Sequence, residues 1–221
     1  INGSNFYNIS TAGTGTKFIS SAAVRVANNF IIGTNTGVNG GTASIDITAA
    51  FTNNSSPTAF TQTLTGAVNL VGATAVNGTQ PTNFNELYFI NAGTKTISTN
   101  INIQSKFLIN NSSGNVDILQ NIVSATGASA QLTHQSPNSL FIRGSNNFPV
   151  GFSSYTLDPA STVNYNADFN QTIAGISYGN LTMGTALQPT LTICSKIASG
   201  NIIANNITVG ASANDTRVIL N

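Results

Sequence analysis

Apolar residues in this chain arrive in short pulses at every second position. Ile45-Asp46-Ile47-Thr48-Ala49, Ile101-Asn102-Ile103, Leu181-Thr182-Met183 and Ile207-Thr208-Val209 each alternate an aliphatic with a polar residue. Successive side chains of a strand point to opposite faces, so this period predicts short half-buried strands, one side apolar and the other Thr/Asn. Helical periodicity is almost absent: Ala and Leu collect on no i, i+3, i+4 stripe, and Glu occurs once. Turn-forming clusters separate the pulses, among them Gly33-Thr34-Asn35-Thr36-Gly37, Asn110-Asn111-Ser112-Ser113-Gly114 and Gly144-Ser145-Asn146-Asn147. Gly and Asn tolerate the left-handed backbone that tight corners need.

A larger recurrence lies over these pulses. An aromatic followed three residues later by an aliphatic occurs in Phe6-Tyr7-Asn8-Ile9, Phe84-Asn85-Glu86-Leu87 and Tyr178-Gly179-Asn180-Leu181. Each copy leads into a short strand, at Thr16-Lys17-Phe18-Ile19, Thr94-Lys95-Thr96-Ile97 and Thr190-Leu191-Thr192-Ile193. Recurrence of one unit is the mark of stacked repeats. Residues 1–221 are therefore expected to form a single β-solenoid segment of a longer chain, with long repeats starting near 6, 84 and 178. The expected fold class is all-β, a right-handed parallel β-helix of about nine or ten coils, each of roughly 20–25 residues. The alternative is a tandem of small β-sandwiches with strands every 8–12 residues or so. Unequal repeat spacing and the lack of a clear linker favour the solenoid.

Composition agrees with stacking. Only 6% of residues are charged, against about 25% in ordinary soluble domains. Asn alone supplies 32 of the 221 positions. Like charges repeated at the ~4.8 Å coil spacing repel, whereas stacked amides hydrogen-bond, so a solenoid selects a neutral surface. The seven bases and six acids are scattered singly. No basic patch for nucleic acid and no polybasic or amphipathic segment for a membrane surface is present. Hydrophobic residues make up 40%, which sets the chain apart from disordered polar sequences.

Candidate chemistry is thin. The acids closest in sequence, Asp158 and Asp168, are ten residues apart with no basic partner nearby, whereas glycan cleavage needs two acids facing one bond. His134, the one histidine, has no second ligand within zinc spacing and no Gly-x-Ser-x-Gly elbow to serve, which makes it a polar strand or loop residue. Cys194, within Leu191-Thr192-Ile193-Cys194, reads as a small buried hydrophobe. Calcium repeats need Asp-rich turns, and the turns here use Asn and Gly. Thr-x-Thr pairs at Thr61-Gln62-Thr63, Thr94-Lys95-Thr96 and Thr190-Leu191-Thr192 raise an ice-binding array, but they follow no fixed period. Tyr7 and Tyr178 lie in repeat cores and are expected to pack, leaving Tyr155 and Tyr165 as candidates for an exposed sugar platform. No catalytic, cofactor-binding or metal-ligating residue is assigned, and no enzyme activity is expected.

The third repeat copy carries a resemblance. Val163-Asn164-Tyr165-Asn166, Gln171-Thr172-Ile173, Tyr178-Gly179-Asn180-Leu181-Thr182-Met183 and Gly200-Asn201-Ile202 resemble a repeat of large secreted Bacteroidetes proteins, whose form is roughly V-x-Y-x-G, Q-T-I, Y-G-N-L-T-L, K-T-L, G-N-I. The likeness is best over 163–209, and the first two copies keep only the aromatic and the aliphatic. It implies a parallel β-helix segment of a long adhesin-like chain, extracellular or on the bacterial cell surface, in the class exported by type IX secretion. A sorting domain would lie beyond Asn221. The expected role is a rigid rod for attachment or display. Its partners would be neighbouring coils or domains of the same chain, and surface glycans or other cells, with no nucleic acid and no membrane insertion. A carbohydrate-acting β-helix enzyme or glycan-binding module is the alternative, and an ice-binding solenoid the third reading.

Overall fold

In a computed structural model, the structure describes residues 1–63, 65–135, 137–184 and 194–210, together with the backbone of Thr216–Ile219. Every strand pairing among the described residues is parallel, and no helix occurs among them. Parallel neighbours need a crossover. Here the crossover is the rest of the coil, and the sheets stack as a β-solenoid of about nine turns. Antiparallel sandwiches would show hairpin pairings, so the alternative architecture falls.

Three faces surround the core. The first runs from Asn5–Phe6 through Ala23–Val26, Ser44–Ile47 and Ala67–Leu70 to Gln131–His134 and Ser154–Leu157. The second runs from Ile9–Thr11 and Asn29–Ile32 to Ser177–Met183 and Ile203–Val209. The third begins with Gly15–Phe18, Thr36–Gly41 and Phe60–Gln62. The early parts of Thr82–Ala92 and Ile101–Ser113, paired Thr82 with Ile101 and Phe84 with Ile103, belong to the same side of the coil, and Val123–Ala125 pairs onto them. On the second face Ile9, Phe30, Phe51, Val76 and Ile97 fall in register, one per coil, which matches the expected coil length of roughly 20–25 residues.

Alternation decides which residues enter the core. In Asn29–Ile32, Ser44–Ile47 and Ser139–Ile142 every second side chain is buried and its neighbours are half-exposed. The inward positions form columns of Val, Ile, Leu and Phe. Phe30 stacks on Phe51 at 5.3 Å between ring centroids, and Phe51 meets the edges of Phe60 at 5.0 Å and Phe84 at 5.1 Å. A second cluster joins Phe148, Tyr155, Tyr165 and Tyr178 further along.

The repeated motif has a geometric meaning. In an unbroken strand, residues i and i+3 point to opposite faces. Both ends of each motif nevertheless turn inward: Phe84 and Leu87 are buried, as are Tyr178 and Leu181, and Phe6 packs partly buried against the core above Ile9. A bend between them restores the parity. Tyr7 is a bend between two strands, and a register shift falls between Phe84 and Glu86. At Gly179 the backbone passes so close to the Asp158 carbonyl that a Cβ would lie 2.1 Å from its oxygen. The copies occupy different corners: Ile9 and Leu181 enter the second face, Leu87 the first.

Candidate functional site

A concavity lies on the third face, where consecutive coils place short polar side chains beside one another. It has a volume of about 350 Å³ and crosses four coils, entered from Phe60–Gln62, Thr82–Ala92, Ile101–Ser113 and Thr126. Its polar wall consists of Thr61, Gln62, Asn83, Asn85, Asn102 and Gln104. Phe60 and Phe84 lie beneath this wall, fully enclosed, and hold its strands to the core.

The amides form a directed ladder. The Ser124 hydroxyl donates to Asn102 Oδ1 at 2.6 Å, and Asn102 Nδ2 donates to Asn83 Oδ1 at 2.7 Å. Asn85 Nδ2 is tied inward to the Gly66 carbonyl at 3.0 Å, and Gln62 Nε2 to the Ala43 carbonyl at 3.2 Å. Gln62 is only 7% exposed, yet its Oε1 accepts from none of the described residues. No side chain lining the cleft carries a formal charge. Elsewhere the neutral ladders expected from composition recur, with Asn206 donating to Asn180 Oδ1 at 2.7 Å and Thr52 to Asn77 Oδ1 at 2.5 Å.

Corners are stitched by buried polar groups. The Lys95 ammonium donates to the carbonyls of Gly72, of Ala92 at 2.9 Å and of Gly93 at 3.3 Å. Lys196 Nζ donates to the Ala167 carbonyl at 2.9 Å and to Gln171 Oε1 at 2.5 Å. Burial pushes both lysines down to about 8, and the carbonyl oxygens around them satisfy the ammonium groups they enclose. Asn111, Asn147 and Gln171 bridge corner carbonyls in the same way. These are roles in packing, and nothing in the alternation of the strands announces them.

The residues singled out from sequence scatter. Asp158 follows Ser154–Leu157 and accepts from the Ala160 amide at 2.8 Å; Asp168 sits at the next corner, after Thr162–Tyr165. They belong to two corners of one coil and form no stacked pair. His134 stands inside the core and not at a polar strand surface or loop. Burial pushes it down to about 4, partly opposed by the charge of Asp158 and by the Asn138 backbone, and neither ring nitrogen makes a well-formed hydrogen bond among the described residues. Cys194 is buried as expected.

Two expectations about tyrosine reverse. Tyr7, placed in a repeat core, is 72% exposed at the bend, whereas Tyr165 is fully buried and Tyr155 half-buried, its hydroxyl on the Pro149 carbonyl at 3.0 Å. Tyr165 shares a 3.1 Å hydrogen bond with the buried Tyr178, and desolvation pushes Tyr165 up to about 12. A sugar platform on Tyr155 and Tyr165 is thereby excluded; the alternating parity of the strands had turned Tyr165 inward. The remaining tyrosine, Tyr88, lies on the first face with its hydroxyl on Glu86 and the Lys106 ammonium 5.8 Å from its ring centre.

Among the described residues the threonine pairs make no array. Thr61 is in register with Asn39, and Thr96 with Ala75 on one side and Asp117 on the other. Thr190 and Thr192 lie outside the described residues. Among the described residues no group of three or more His, Cys, Asp or Glu converges. The cleft amides themselves were missed from sequence: Gln62, Asn83, Asn102 and Gln104 look like any other Asn or Gln until the coil register aligns them. No protein-family model matches the chain, and comparisons with curated proteins and with solved structures gave no significant match.

Proposed function

We propose that this chain is a structural and adhesive segment of a large bacterial cell-surface or secreted protein, a rigid rod without catalytic activity of its own. The observation that supports this reading is the direction of its hydrogen bonds. Each coil is joined to the next by parallel ladders on its faces, and side-chain ladders such as Ser124–Asn102–Asn83 run the same way. These bonds lie along the axis of the solenoid, so axial load is shared by all the bonds of a coil at once. About nine turns at the strand spacing of ~4.8 Å give a rod on the order of 40 Å long. Such a rod spaces binding regions away from a surface, and weak contacts along it add through multivalency. Neighbouring coils or domains of the same chain and surface glycans are its partners on this reading, and its place is outside the cell.

The experiment displays the full chain on beads and on cells that otherwise do not attach, then measures retention on glycan-coated surfaces under flow. Retention well above that of bare beads is expected, with no new reducing ends released from a panel of soluble polysaccharides. Steady release of reducing ends, or retention equal to the bare control, overturns it.

A further inference from the structure

We propose that the third-face cleft binds a neutral oligosaccharide laid along the solenoid axis, without a metal ion. The inference rests on the adhesive reading and names the ligand class of one site on the rod. Three features of the cleft select that class.

Its hydrogen-bonding ends are complementary to a diol. Along the ladder from Ser124 through Asn102 to Asn83, both amide oxygens already accept, so the chain ends with the Asn83 Nδ2 hydrogens, which donate to none of the described residues. In the same cleft the exposed Gln104 side-chain amide makes no hydrogen bond to the described residues, so its oxygen is left as an acceptor. One open donor and one open acceptor on neighbouring coils suit a pair of adjacent sugar hydroxyls, each of which both donates and accepts. A carboxylate or sulfate could use only the donor.

The charge balance points the same way. Although thirteen residues of the chain are charged, the wall of Thr61, Gln62, Asn83, Asn85, Asn102 and Gln104 holds none of them. An acidic polysaccharide would lose hydration there without a cation to replace it. Calcium-bridged sugar binding needs carboxylates, and none lines the cleft.

Length supplies the third feature. Four coils at the strand spacing give a cleft on the order of 15 Å long, with an amide or hydroxyl from each coil. A single sugar would leave most of these groups in water, whereas a short chain meets them in turn.

The test uses the full chain labelled with nitrogen-15, following side-chain amide signals in NMR titrations. The probes are cellohexaose, maltohexaose and a mannan-derived hexasaccharide as neutral chains, with oligogalacturonate and hyaluronan fragments as acidic ones. At least one neutral chain is expected to shift the Asn83 and Gln104 amides, equally well with chelator present and in high salt. The Thr61→Val and Asn83→Ala variants, both altered on the outward side of the strand, should weaken that binding about tenfold each, the equivalent of one lost hydrogen bond. Backbone amide spectra away from the cleft report that these variants still fold. The proposal is overturned if no neutral chain shifts these amides, if only acidic chains do, or if binding survives both substitutions undiminished. Retention of the Asn83→Ala chain under flow separates this site from the rod: unchanged retention removes the cleft and leaves the adhesive reading standing.

Discussion

His134 sits where the column on the first face demands an aliphatic. Val26, Ile47, Leu70, Phe89 and Ile109 precede it in register, and Leu157 follows. The ring is fully enclosed and its nitrogens make no well-formed hydrogen bond among the described residues, so its protonation must be resisted by the fold. Burial holds it at about 4, against about 6.5 in the unfolded chain. Between these values the unfolded chain binds more protons, so stability rises with pH there. The contribution is complete above about pH 6.5 and lost progressively as the pH falls toward 4. Integrated over the whole window the shift amounts to about 3 kcal/mol, of which about 2 kcal/mol is already gone at about pH 5. His134→Leu removes the titration and restores the column, and it also relieves the unpartnered nitrogens, a further gain of about 1–3 kcal/mol at neutral pH. Urea unfolding of both chains at about pH 7.5 and about pH 5 gives the comparison, and contributions common to both chains cancel in the double difference. Because the chain has one histidine, its ring proton also gives a single NMR signal to titrate. A ring that titrates near 6.5, or a His134→Leu variant with the same acid sensitivity as the original chain, refutes the reasoning.

Three other perturbations test other parts of the fold. Lys95→Met leaves the Gly72 and Ala92 carbonyls without their donor and should cost about 2–3 kcal/mol in a denaturant titration. Because burial lowers Lys95 and Lys196 to about 8 while the unfolded groups stay near 10.4, stability should rise between those values, and Lys95→Met should roughly halve that alkaline slope. Gly114→Ala puts a Cβ 2.5 Å from the Gly93 carbonyl carbon at φ +85°, so a loss of at least about 2 kcal/mol is expected in thermal melts. Phe51→Ala opens a cavity between Phe30, Phe60 and Phe84 and should cost about 3–5 kcal/mol. In a solenoid that loss spreads to adjacent coils first, so hydrogen exchange should quicken around 30–84 while Ser139–Ile142 and Thr162–Tyr165 keep their protection.

The architecture was legible because alternation and corner chemistry repeat many times, and each repetition is independent support. Ile45 and Ile47, Ile101 and Ile103, and Leu181 and Met183 are all buried as their parity requires. Single residues at breaks in that parity were not legible. Tyr7 and Tyr178 lie in copies of the same motif, yet one is exposed at a bend and the other buried, because Tyr7 holds the motif's second position, where the first copy bends, and Tyr178 its first. His134 was misplaced for the opposite reason. Its strand Gln131–His134 keeps strict parity, but a polar residue at an inward position looks in sequence like an outward one. Lys95 and Lys196 are inward in the same way, held by backbone carbonyls and, for Lys196, also by Gln171 Oε1, partners that sequence does not distinguish.

The cleft was hidden by a deeper property of solenoids. A coil contributes one or two outward groups to any site, and the rest come from residues about twenty positions away, so no local motif can exist. What decides a site is which outward groups share a column. On the first face Arg25 is opposite Asp46, and Glu86 opposite Lys106, so charge is admitted where the next coil carries its opposite. Such columns are already internally compensated and leave little field for a charged ligand. The third-face columns admit no charge at all around the cleft, and their outward amides keep unused capacity, a donor at Asn83 and an acceptor at Gln104. A surface built under the constraint that like charges cannot stack is thereby left with hydrogen bonding as its means of recognition. Neutral hydroxyl-rich chains are the ligand class we propose for it, because they answer hydrogen bonding without requiring charge.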